Sequence, residues 1–196
     1  MELGVKKVVD KLADVMRDAV RVTGLEKLFG DNDPGQLMVM ELTLYAMYLS
    51  ASDGEISEEE AQQMGENFGF ELSPEQIGRF MRKQNIYSTE FEKKVPLSMQ
   101  LFVAIDNALH EKNLDKDMER MSSQLLYEAF EAVGNTIIMA DGLADEQEKE
   151  DSQIYLGMLR KYMDDHLVDS KNPAKGFKKK GSISSDRMMD ILDHME

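Results

Sequence analysis

The sequence predicts an all-α protein, a helical bundle of about seven to eight helices. Three observations carry that expectation. Apolar residues recur at three- and four-residue steps along most of the chain. No run alternates apolar and polar residues as a half-buried strand would. One acidic helix–turn–helix pattern is written twice, around Asp53-Gly54 and Asp141-Gly142.

The first helix follows from Val5, Val8, Val9, Leu12, Val15, Met16, Ala19 and Val20, and Gly24 is its expected C-terminal stop. Asp33-Pro34 reads as an N-cap with proline in the first turn. The helix it opens runs to about Leu49 and is apolar on most sides, which suits the middle of a bundle. Ser57 begins a short helix with Ala61, Met64 and Phe68 turned inward, ended by Gly69. Ser73-Pro74-Glu75 opens another with Ile77, Phe80 and Met81 as its stripe, and a turn follows around Ile86–Ser88. A helical region from Phe91 to Leu109 carries Pro96 as a kink or a fresh start. Two more helices are expected over about Lys116–Ala140 and Glu146–Leu167.

Four segments result. Residues 1–32 form an amphipathic helix packing on the bundle, and 33–168 the helical domain itself. Residues 169–183 read as a lysine-rich linker, and 184–196 as a short amphipathic helix bearing Met188, Ile191, Leu192 and Met195. Lys171, Lys175, Lys178, Lys179 and Lys180 give residues 171–180 a charge of +5, so the remainder carries −20 of the chain's −15 net.

That acidity opposes sequence-independent binding to nucleic acid, because a phosphate backbone is repelled on encounter. It favours cations or basic surfaces as partners. With no cysteine, disulfides, thiolate catalysis and iron–sulfur clusters are excluded, which fits a cytoplasmic setting. No stretch approaches the ~20 apolar residues of a membrane helix. The three histidines are scattered, and no H-E-x-x-H, G-x-S-x-G or Walker loop is present, so no enzyme is expected.

The two acidic turns align at a separation of 88 residues: Ala51-Ser52-Asp53-Gly54 faces Met139-Ala140-Asp141-Gly142. Ser57-Glu58-Glu59-Glu60 likewise faces Asp145-Glu146-Gln147-Glu148, so both outgoing helices are expected to start with a capping box. Neither copy is an EF-hand. With glycine at loop position 6, positions 1 and 3 are Leu49 and Ala51 or Ile137 and Met139, which offer no side-chain oxygen.

An apolar helix ending in "ADG", a small capping residue and a glutamate seven residues after the aspartate resembles the TerB-like family, named for tellurite resistance. "MADGLADEQE" is the closer copy and "SASDGEISEEE" also fits, within a resemblance covering about residues 33–167. It implies a helical bundle whose two halves are related by a pseudo-two-fold axis. It also implies a negative, metal-binding surface at Asp53, Glu60, Asp141 and Glu148, in a non-enzymatic module linked to metal or envelope stress. Oxygen-only ligands suit Ca²⁺, Mg²⁺ or Mn²⁺. The residues also allow a plainer role, because aspartate before glycine closes turns and first-turn glutamates favour the helix dipole.

Two further partner readings come from composition. Met38, Met47, Met64, Met81, Met99 and Met121 are core positions by default, with an adaptable groove for a partner helix as the alternative. Lys175, Lys178, Lys179 and Lys180 offer contact with an anionic surface, either lipid headgroups or the protein's own acidic face.

Overall fold

The computed structural model describes residues 4–86, 91–111, 121–140, 142 and 145–168. These form seven α-helices: α1 (Val5–Thr23), α2 (Pro34–Ser50), α3 (Glu58–Phe68), α4 (Pro74–Gln84), α5 (Leu97–Glu111), α6 (Met121–Ile138) and α7 (Glu146–His166). Two short 3₁₀ turns, Leu25–Leu28 and Phe91–Lys93, complete the described elements, which include no strand. No described helix is long and apolar enough to cross a membrane. The expected linker and the terminal stretch 184–196 lie outside the described residues.

The central pair is α2 against α6, onto which α1, α5 and α7 pack. Composition explains the arrangement. Along α2 the buried residues Leu37, Met38, Leu42, Tyr45, Met47, Tyr48 and Leu49 wrap around the helix and demand neighbours on several sides. By contrast α1 buries a single stripe, Val9, Leu12, Ala13, Met16 and Val20. Tyr45 and Tyr155 stack at 4.7 Å between ring centres, and Phe130 meets Tyr45 edge-on at 5.3 Å. The Tyr45 hydroxyl bonds the Ser152 hydroxyl at 2.9 Å, joining α2 to α7. Gly134 on α6 makes room for it, because a Cβ there would lie 2.8 Å from the Tyr45 hydroxyl.

Helix starts account for most of the interior acids. Asp33 caps α2 by accepting from the Gly35 and Gln36 N–H groups, and Arg17 Nε meets both its oxygens at 2.9 Å. The Arg17 hydrogen bond holds the Asp33 carboxyl below the usual range. Ser73 and Gln76 form a reciprocal capping box on α4. Two starts are capped from other helices. Glu41 on α2 accepts from the Leu97 N–H at 2.6 Å and the Ser98 N–H at 2.8 Å, at the first turn of α5. Asp106 on α5 accepts from the Ser122 and Ser123 N–H groups and from the Ser123 hydroxyl, at the first turn of α6. Burial pushes the Glu41 carboxyl up, and these N–H groups act against that shift.

Some expectations shift in detail. The region from Phe91 splits at Pro96 into a 3₁₀ turn and α5, and α6 is described only from Met121. Phe80 does not belong to the α4 core stripe; it is 38% exposed, while Ile77 and Met81 carry the contact. Met38, Met47, Met64, Met81 and Met99 are buried in the core; the side chain of Met121 lies outside the described residues.

Candidate functional site

Each acidic turn is built by the same backbone bonds. The Ser52 N–H reaches the Leu49 carbonyl at 2.9 Å, and the Gly54 N–H reaches Ala51 at 3.1 Å. Eighty-eight residues on, the Ala140 N–H reaches Ile137 at 2.9 Å, and the Gly142 N–H reaches Met139 at 3.2 Å. Gly54 and Gly142 take φ of 96° and 79°, where a side chain is strained, which is why glycine follows the aspartate position in both. Asp53 folds its Oδ1 back on the Glu55 N–H at 2.9 Å, a turn-closing bond. Asp141 lies outside the described residues.

The helices leaving the turns start differently. At α3 the expected capping box forms: Ser57 Oγ accepts from the Glu60 N–H at 3.1 Å, and Glu60 Oε2 accepts from the Ser57 N–H at 2.7 Å. At α7, Asp145 Oδ1 accepts from the Gln147 N–H at 2.7 Å and, more weakly, from the Glu148 N–H at 3.4 Å. The reciprocal bond from Glu148 to the Asp145 N–H, which the sequence pattern predicts, is not among the bonds of the described residues. Instead the Glu148 carboxyl hydrogen-bonds to Glu60. A hydrogen bond between two carboxyl groups requires a proton on one of them.

Both glutamates are only 6% exposed. Burial, the hydrogen bond and the negative charge of Glu60, and then the charges of Asp53 and Asp145 push the Glu148 carboxyl up to about 8. At neutral pH the pair therefore retains a proton, with Glu148 the group pushed towards its protonated form. Of the four residues singled out in the sequence, Glu60 and Glu148 are in contact, although they come from different turns and lie 88 positions apart. Asp53 is near enough to act on Glu148 through its charge, but its side chain is exposed and engaged with its own turn.

Among the described residues no group of three or more His, Cys, Asp or Glu side chains is arranged to hold a metal ion. The Glu60–Glu148 pair supplies two carboxylates, so a cation here needs water to complete its shell.

Elsewhere on α3, the helix and the segment after it border a groove of about 670 Å³ that neither Glu60 nor Glu148 lines. Glu58, Glu66 and Glu71 line it with Ala61, Phe70 and Leu72. Gly65 permits the close approach that shapes it, since a Cβ there would sit 2.6 Å from the Phe70 carbonyl oxygen.

Sequence reasoning did not identify Glu41 and Asp106 as caps. Glu41 had a signal, being the single acid interrupting an otherwise apolar helix. No protein-family model matches this chain, and no curated protein or solved structure does either.

Proposed function

We propose that this chain is a TerB-like helical bundle with an internal pseudo-two-fold repeat, acting as a non-enzymatic acidic module that binds a divalent cation at its paired turns. The observation that carries this reading is the buried Glu60–Glu148 contact, which joins the two acidic turns at one place. The matched backbone bonds of the turns support the repeat. So do the cross-ties between halves: Asn67 on α3 bonds Thr136 on α6 at 3.0 Å, and the positions 88 residues away, Tyr155 on α7 and Tyr48 on α2, face each other at 6.4 Å.

In this reading Glu60 and Glu148 hold the ion, with Asp53 and Asp141 adding oxygen ligands or field. Oxygen-only donors select Ca²⁺, Mg²⁺ or Mn²⁺, and Mg²⁺ in particular retains several waters when few carboxylates are available. A dication answers the charge problem that the pair otherwise solves with a proton, so binding displaces the proton on Glu148. The link to metal or envelope stress, and the cytoplasmic setting, follow from the family resemblance. A basic partner is the second use of the acidic face, favoured by the three glutamates around the α3 groove. The methionine-groove alternative loses support because five of its six methionines fill the core.

Calorimetric titration of chelator-treated protein with Ca²⁺, Mg²⁺ and Mn²⁺ tests the reading. The expected result is heat and a raised melting temperature for at least one ion, both lost in Glu148→Gln and weakened in Asp53→Asn with Asp141→Asn. No heat and no thermal shift with any of the three would remove the cation site.

A further inference from the structure

Helix α1 carries two apolar faces, and the described bundle covers one of them. Val9, Leu12, Ala13, Met16 and Val20 are buried. Val8, Val15 and Val22 point outward, exposed by 38%, 41% and 59%. Steps of seven residues bring side chains back to nearly the same angular position on a helix, so these valines form one continuous seam. The helix is also net basic within an acidic chain: Lys6, Lys7, Lys11, Arg17 and Arg21 outnumber Asp10, Asp14 and Asp18. Lys7 and Lys11, both exposed, flank the first two valines.

The chain itself contains a complementary segment. Residues 184–196 place Met188, Ile191, Leu192 and Met195 at helical spacing, with Met188 and Met195 also seven apart. The same residues hold Asp186, Asp190, Asp193 and Glu196 against the single Arg187, a charge opposite to that of α1. Distance is no obstacle. Fifteen residues separate Val168 from Ser184. At about 3.3 Å per residue they span up to roughly 50 Å, whereas α7 at about 1.5 Å per residue is roughly 30 Å long.

We propose that residues 184–196 dock in cis along the Val8–Val15–Val22 seam of α1, their four apolar residues against the valines and their acids beside Lys7 and Lys11. The occupant is the chain's own terminus, because it matches the seam in period, polarity and charge. The metal reading plays no part in this assignment.

The absence of cysteine gives a clean test in the full-length chain. Val15→Cys with Leu192→Cys should form an intramolecular disulfide under mild oxidation, at a rate independent of protein concentration. The control pair Ile154→Cys with Leu192→Cys, which uses an exposed position on α7, should react at least tenfold more slowly. Equal rates for the two pairs, no disulfide, or only disulfide-linked dimers would each overturn docking in cis, the last by making a second copy the occupant. A second measurement avoids the introduced thiols. Val8→Asp with Val15→Asp alters only exposed positions and should speed tryptic cleavage after Arg187 several-fold. An unchanged cleavage rate counts against the seam.

Discussion

The starts of α3 and α7 are written in almost the same letters and do different work. Glu60 stays local, closing a box with Ser57 while it also hydrogen-bonds to a distant partner. Glu148 occupies the matching position, leaves the cap to Asp145 and turns inward to Glu60. A capping motif fixes which bonds are available to a helix start. Tertiary surroundings decide which of them is made, because one buried carboxylate beside another must find a proton or a cation.

The comparison can be broken most severely by spreading the helices that hold the two starts together. Gly134→Val should do so, since even the first added carbon meets the Tyr45 hydroxyl, Ser152 Oγ at 3.2 Å and Leu49 Cδ1 at 3.3 Å. Overpacking of this kind costs about 1–3 kcal/mol, and thermal denaturation should show a melting temperature lower by up to about 10 °C.

Next come the caps themselves. Ser57→Ala and Asp145→Ala should each cost about 1 kcal/mol in denaturant titrations. The two variants should differ in their dependence on pH: the Ser57 variant loosens the helix turn that presents Glu60 and should flatten the profile, while the Asp145 variant removes the α7 cap together with a charge that raises the Glu148 carboxyl, and should end the pH-dependent loss at a lower pH.

The pair has its own pH signature. The Glu148 carboxyl lies at about 8 in the folded protein against an ordinary 4.5. Between those values the folded state therefore binds more protons than the unfolded one. Stability contributed by this group is fully present below about pH 4.5 and is lost as pH rises through about 8. In Glu148→Gln that loss should disappear, leaving the variant more stable than the parent at pH 9 and close to it near pH 4. Urea melts across the range would show it, and parallel profiles for the two proteins would contradict the contact. Asp53→Asn should have the smallest effect, within about 0.5 kcal/mol, because an asparagine oxygen can still accept from the Glu55 N–H.

What the sequence made legible was whatever the chain specifies locally. The stripe of α1, the caps Asp33, Ser57, Ser73 and Asp145, and the glycine in both acidic turns follow from spacing within a few residues. The repeat suggests the pairing of Glu60 with Glu148 only in outline, and the reciprocal half of the capping box at α7 is not among the bonds of the described residues. Glu41 and Asp106 escaped because their partners lie 56 and 16 residues away. Phe80 was placed inside on periodicity alone, yet α4 is an edge helix with few neighbours to cover it.

The remote caps have a consequence for how the chain assembles. Peptides spanning 57–69 or 73–85 carry their own start signals, so each can begin a helix in isolation. Peptides spanning 96–111 or 121–138 are cut off from Glu41 and Asp106 respectively, the carboxylates that accept from their Leu97, Ser98, Ser122 and Ser123 N–H groups, as no bond within the described residues 96–111 or 121–138 does for these four. Helix nucleation is costly, so α5 and α6 should become persistent only when α2 and α5, respectively, arrive beside them. Order in this half of the molecule is thus passed from one element to the next in sequence, and fragment circular dichroism should reveal the direction in which it travels.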